Sequence, residues 1–417
     1  MPQTEQKFKQ SFRNISPLAN VLGKKTRATD YGEMAFLLGF EAIIVGDFAP
    51  IEFNGSIKLS HMRLVWTWLI RDVMPEIKEI LNGVADVAGA QVALQPHFSE
   101  IFSKASDAIF TASAKPDTQR RLIAQIGGEE VKTRIPIIIS ALKYHSLLAK
   151  AVNFGRSANT LSDEAELESA LLSLPLKQPK ISSLLFHAII SQTIEPSRLV
   201  IAASNNIGGA SEVAFKGAGF EPLIEAIFAH AQNQVSIIED QYGLFGDVDL
   251  ICNSITRYHY LIRAATGYVE IERNSEWGKI AAQLTKCMAQ RIEPRLNEVS
   301  FNVTSSMRKP RSGPDVVDAD LLLSALNGIY LLVAVREARE SLALNAMFEK
   351  IWNETGQNLE ILIDRNMELL KLDPTDNVIS QRLDGGIKMA GLRFGKEYGE
   401  VLFRAKQAIE RRQKQAI

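Results

Sequence analysis

Apolar residues along most of this chain return at three- and four-residue steps, and that spacing admits few folds other than packed helices. Between Glu276 and about Val299, Trp277, Ile280, Ala281, Leu284, Cys287, Met288 and Ile292 fall on one stripe. Lys279, Gln283, Lys286 and Gln290 lie elsewhere around the same helix. The pattern predicts further helices near 97–113, 117–126, 130–154, 162–173, 179–193, 221–242, 248–272, 315–341, 344–371 and 378–413. Residues 60–81 read as another, with Ser60 as its N-cap and Pro75, which has no amide to donate, kinking or restarting it. Asp30 followed by Glu33 reads as a capping box ahead of the apolar run Met34–Val45. Strand-like alternation is scarce. The best case is 48–58, where Ile51 and Phe53 alternate with Glu52 and Asn54, and Asn54-Gly55 suits a hairpin turn. These features predict an all-α, large multi-helix protein, open to a bilobal arrangement, with at most one short β-hairpin near 48–58.

Gly-, Pro-, Ser- and Asn-rich breaks fall at 155–163, 174–180, 204–212 and 302–314. They suggest an N-terminal helical region over 1–175 and a C-terminal one over 176–417, with 302–314 as a mobile basic loop. Segment 137–157 can be laid over 321–341 with Ser-Ala-Leu and Leu-Leu in register, a faint hint of duplication. With 417 residues, 46% of them hydrophobic, the chain can bury a large core. Its 47 Lys and Arg nearly cancel 48 Asp and Glu, which argues against a surface devoted to nucleic acid or anionic lipid. The N-terminus has no secretory pattern. The runs Met34–Val45 and Leu321–Val335 fall short of the roughly 20 apolar residues of a spanning helix, so they read as buried helices rather than transmembrane segments. Cys252 and Cys287 read as buried free thiols, which fits a cytoplasmic location.

Familiar catalytic constellations are missing. Around Gly23-Lys24-Lys25-Thr26, Leu18 stands where a phosphate loop needs its first glycine. There is no GxSxG elbow, no HExxH and no paired CxxC. The six histidines are scattered, and none follows a glutamate by three residues as a di-metal helical bundle requires. No metal, cofactor or catalytic residue is therefore predicted, and an enzymatic role is not favoured.

What remains points to interaction. Arg308, Lys309 and Arg311 lie in the basic loop, and Arg404, Arg411 and Arg412 load the last predicted helix. These cations suit an acidic protein partner. Gly391, Gly395 and Gly399 recur every four residues, at about 1 kcal/mol each relative to alanine inside a helix. Close approach of another backbone, from this chain or a second copy, would compensate. The resulting expectation is a non-catalytic protein-interaction, scaffold or regulatory protein. A helical enzyme or ligand binder is the first alternative, with an inter-helix pocket using Asp247, Asp249, Tyr258, His259 and Arg263. A nucleic-acid or membrane-surface binder acting through the basic patches is the second.

Overall fold

The computed structural model describes residues 31–47, 49–239, 241, 246–310 and 312–414. Asp30 of the expected capping box, and Asp240 and Arg311, lie outside them. The described chain is built almost wholly of helices: α1 (Tyr31–Gly39), α2 (Leu59–Trp68), α3 (Ile77–Ile80), α4 (Val87–Leu94), α5 (Phe98–Ser113), α6 (Pro116–Ile126) and α7 (Glu129–Lys143). Next come α8 (His145–Ala158), α9 (Glu164–Leu172), α10 (Pro179–Gln192), α11 (Pro196–Ile207), α12 (Glu212–Gly217) and α13 (Glu221–Glu239). The series ends with α14 (Val248–Tyr268), α15 (Glu276–Ser306), α16 (Ala319–Ala338), α17 (Asn345–Leu372), α18 (Asn377–Phe394) and α19 (Lys396–Lys414).

Two compact units emerge. The first comprises Met1–Asp240 with Tyr260–Ala282, and the second Gln241–His259 with Gln283–Ile417. Residues 175 and 176 both lie in the first.

The first unit is organised around α13, whose residues from Pro222 to Ile238, Glu225 apart, are buried. Helix α10 packs against both α8 and α13. The β element is not a hairpin. Ile44–Val45 (β1) and Ile57–Lys58 (β2) pair in parallel, Ile44 opposite Ile57 and Val45 opposite Lys58. The turn expected at Asn54-Gly55 does form, with Gly55 at φ 81°, but the chain passes through it before reaching β2. Ser60 is not a cap either: α2 begins at Leu59, and the Ser60 amide donates to Asp47 Oδ1 at 2.8 Å. A carboxylate distant in the chain thus satisfies that first-turn donor. Trp66 and Trp68 are both buried. Their helix widens into a π turn over Leu69–Val73 and ends at Met74, as the residue before a proline favours. The single helix expected over 130–154 is two, bent by 78° at Tyr144. The His145 ring sits beside the break, its Nδ1 donating to the Leu142 carbonyl at 3.1 Å. The segment laid over it, 321–341, has no such break before Ala338, so the two differ in structure.

In the second unit α18 packs on α16, α17 and α19. Two guanidiniums approach the Trp352 ring of α17, Arg393 at 3.2 Å and Arg336 at 5.0 Å from the ring centre. Arg393 also donates to the Trp352 carbonyl at 2.9 Å. The expected loop 302–314 is shorter, because α15 continues to Ser306. Residues 378–413 are not one helix. Gly395, at φ 113°, breaks them into α18 and α19. Among the described residues one helical stretch, Ala319–Ser341, is long and apolar enough to cross a membrane, and α7 with α8 would add a broken second.

The three spaced glycines therefore have two roles. Gly395 packs against no backbone: nothing lies within 4 Å of a Cβ placed there, and its requirement is the positive φ. Gly391 and Gly399 do face each other across the α18–α19 contact, so the close helix approach is internal. A Cβ on Gly399 would meet Gly391 Cα at 2.9 Å, whereas one on Gly391 would sit 3.8 Å from Gly399 Cα. Gly399→Ala is expected to destabilise by about 1–3 kcal/mol, the range for overpacking. Gly391→Ala should be neutral or stabilising by up to about 1 kcal/mol through helix propensity. Denaturant unfolding of the two variants checks the asymmetry; equal losses would contradict it.

Candidate functional site

Two regions concentrate chemistry. In the first unit, α13 carries His230, Gln232, Asn233 and Gln234 through buried surroundings. The Gln232 amide accepts from Ile51 N at 3.0 Å and donates to Ile51 O at 2.9 Å. Asn233 accepts from Gly46 N at 2.8 Å and donates to Ile44 O at 3.3 Å. Side-chain amides thus take the place of a neighbouring strand for segment 44–51. Beside them His187 Nε2 donates to the Asn54 carbonyl at 3.0 Å, and His230 Nε2 donates to the His187 carbonyl at 3.0 Å. Burial pushes the His187 pKa down to about 4, against the bond to Asn54. Glu225, five residues before His230 on α13, is pushed up to about 7 by burial and by Glu221, while a bond from the Asn54 side chain opposes the rise. Every contact here ties chain to chain, so this cluster fastens the fold.

The second region is open. Helices α16, α18 and α19 enclose a groove of about 500 Å³. Leu326 and Tyr330 line it from α16, Ile387, Gly391 and Leu392 from α18, and Gly399 and Phe403 from α19. Lys388, Lys396 and Glu400 supply its charge. Tyr330 and Phe403, both in its lining, are each 46% exposed. The Gly391–Gly399 contact forms its floor by bringing α18 and α19 together without side chains between them. The spacing of the glycines signalled a close approach. The groove itself had no linear signature, because its walls come from three helices.

The other expected residues are dispersed. Arg404 is exposed and reaches Glu400 at 3.5 Å. Arg411 is exposed on α19, which also carries Arg412. Lys309 pairs with Asp315 at 3.7 Å, and Asp315 in turn pairs with the buried Arg382; Arg308 is exposed. That carboxyl is held below its usual range chiefly by the Arg382 hydrogen bond. Of the alternative ligand set, Asp247 accepts from Leu250 N at 2.9 Å as the cap of α14, and Asp249 follows it as an exposed first-turn acid. Tyr258 is fully buried with its hydroxyl donating to Thr285 Oγ1 at 3.4 Å. His259 meets Ser341 Oγ at 2.9 Å. Arg263 belongs to the first unit and the other four to the second. Cys252 and Cys287 are free, and burial pushes the Cys252 thiol up to about 12, away from reactive thiolate. Among the described residues no group of three or more His, Cys, Asp or Glu is placed to hold a metal ion.

No family model matches the chain, and neither a curated protein nor a solved structure matches it.

The His187–Asn54–Glu225 chain yields a pH prediction. Folded, both titratable groups are neutral between their shifted values; unfolded, they titrate near 6.5 and 4.5. Between those two values the unfolded chain holds one proton on His187 and the folded chain one on Glu225, so their contributions to the pH slope cancel. In Glu225→Gln only the depressed histidine remains, so stability should rise with pH through this window. In His187→Leu only the raised carboxyl remains, and stability should fall with rising pH. Each slope relative to wild type approaches about 1.4 kcal/mol per pH unit. Urea unfolding at several pH values reads the signs; parallel curves would contradict the linkage.

Proposed function

We propose that the chain is a non-catalytic helical interaction protein that takes an apolar, acid-flanked helix of another protein into the α16–α18–α19 groove. The observation that carries this reading is the groove itself, with Tyr330 and Phe403 exposed in it. Apolar surface of this kind, rimmed by charge, is the usual receptor for the apolar face of an amphipathic helix. Helix α16 supports it from another side: it holds an 18-residue window apolar enough to cross a membrane, yet only 33% of that window is buried. Aromatic residues half-sunk in a concave surface are also the residue types that dominate binding energy.

Charge favours an acidic partner. Helix α19 carries six cations against three carboxylates in its sequence, and Lys388 and Lys396 sit in the groove wall. Lys406 is the exception: it is buried against Asp384 at 2.5 Å and adds nothing to the surface field. The two free thiols suit a cytoplasmic scaffold or regulator. A salt-dependent association rate is expected of such an arrangement.

A photo-crosslinking residue placed at Tyr330 or at Phe403, with Phe110 of the first unit as control, tests the reading in the native cell. The expected product is one discrete protein, crosslinked through a segment with apolar residues at helical spacing and flanking Asp or Glu. A synthetic peptide of that segment should bind the intact chain, and Phe403→Glu should weaken it by about tenfold or more, the scale of a hot spot. Crosslinks to a second copy of the chain would replace this proposal with self-association. Equal labelling from Phe110 would overturn it.

A further inference from the structure

Helix α19 is fastened to the second unit more by particular contacts than by apolar burial. Of residues 396–411 only Gly399 and Lys406 are buried, while Tyr398, Val401 and Phe403 are exposed. None of its apolar side chains belongs to the buried core, which limits the hydrophobic free energy lost when the helix is withdrawn. It packs chiefly on α18. There Gly399 meets Gly391, Lys406 pairs with Asp384 at 2.5 Å, and Ser380 Oγ donates to Glu410 Oε1 at 3.0 Å.

These three contacts share a symmetry. Gly391 and Gly399 stand four residues to either side of Gly395, Asp384 and Lys406 eleven, and Ser380 and Glu410 fifteen. The two helices therefore run antiparallel about Gly395. At about 3.6 residues per turn, a straight helix through Gly395 would carry all six residues within about 60° of the Gly395 direction. Both halves of the contact thus lie on one face of the straight helix, although in the hairpin they face each other. Two such helices laid antiparallel, Gly395 opposite Gly395, remake every one of these contacts between chains. Gly395 obstructs neither form: nothing lies within 4 Å of a Cβ there, and the closed turn needs only its positive φ.

We infer that α19 is an exchangeable arm: α18 and α19 straighten through Gly395, and two copies of the chain pair as a two-fold dimer in which each receives the other's α19. The contacts are the same in both forms, so the balance is set by the hinge and by the cost of association. A helix break leaves amides and carbonyls without intrahelical partners, and the straight helix supplies them. The exchange does not rest on the protein-docking reading, because the groove has the same walls whether α19 comes from the same chain or from its partner. Neither Ser380 nor Glu410 lines that groove, so the two readings fail separately.

Sedimentation of the intact Gly395→Ala chain over a range of concentrations tests it. Alanine is strained at φ 113° and favours helix, so each hinge should shift towards the straight form by about tenfold or more. Two hinges change in each dimer, so its dissociation constant should fall at least about a hundredfold below that of wild type. Insertion of Gly-Ser-Gly-Ser after Gly395 relaxes the closed turn and should leave a monomer at every concentration. The interface is identified in a Gly395→Ala, Cys252→Ser, Cys287→Ser background, by mixing chains that carry Ser380→Cys alone with chains that carry Glu410→Cys alone. A short bismaleimide should join the two kinds of chain. A Gly395→Ala chain that stays helical and monomeric overturns the inference, as does a dimer without the 380–410 link. If the alanine chain aggregates, Gly395→Gln, whose side chain also meets open space, repeats the test with the same outcomes.

Discussion

The backbone of Ile44, Gly46 and Ile51 in the first unit takes its hydrogen bonds from side chains of α13. Two paired residues per strand make a ladder too short to close. The amides of Gln232 and Asn233 complete it, each giving and taking one main-chain hydrogen bond. Burying such amides without partners would cost roughly 1–3 kcal/mol per lost bond, so their presence in a buried helix is conditional on the loop being where it is. His187 extends the same logic to Asn54, and Gly55 permits the approach: a Cβ there would lie 2.8 Å from the Ser183 carbonyl carbon. The helices α10 and α13, and the segment between them and α2, therefore form one cooperative object rather than a core with a loop laid over it.

That dependence explains what could be read from the chain. The helices were legible because apolar periodicity is a local property: the expected 117–126 and 179–193 differ by a residue at one end from α6 and α10. The breaks at Tyr144 and Gly395 were not. Apolar spacing runs through both, and at the second the helix ends on Gly395 at positive φ. The parallel pairing of β1 with β2 was equally hidden, because Asn54-Gly55 is a competent hairpin turn and only α13, far along the chain, supplies the alternative. Polar letters in the middle of an apolar helix, HAQNQ at 230–234, were the available signal, and they mark a helix with a buried polar duty.

For the candidate site, legibility divides along the same line. Gly391 and Gly399 announce close packing through their spacing, and the packing is there. Nothing local distinguishes an internal helix from a second molecule as the neighbour, since both need the same missing side chains. The cationic residues that load α19 do not share one environment, since Lys406 is buried in ion pairs with Asp384 and Glu410. Its aliphatic stem makes it compatible with either fate.

Helix α16 borders two openings of the second unit. A helix apolar on every side is ordinarily buried on every side, and this one is not. Ser324, Asn327, Gly328 and Leu331 follow the three- and four-residue steps of one face and border a second opening. Leu326 and Tyr330, a turn apart, form another face and border the groove. Ala325, Ile329 and Leu332 are buried. Its weak segregation of polar from apolar residues thus follows from three different surroundings: a buried one, the groove, and a second opening lined in part by Ser324 and Asn327.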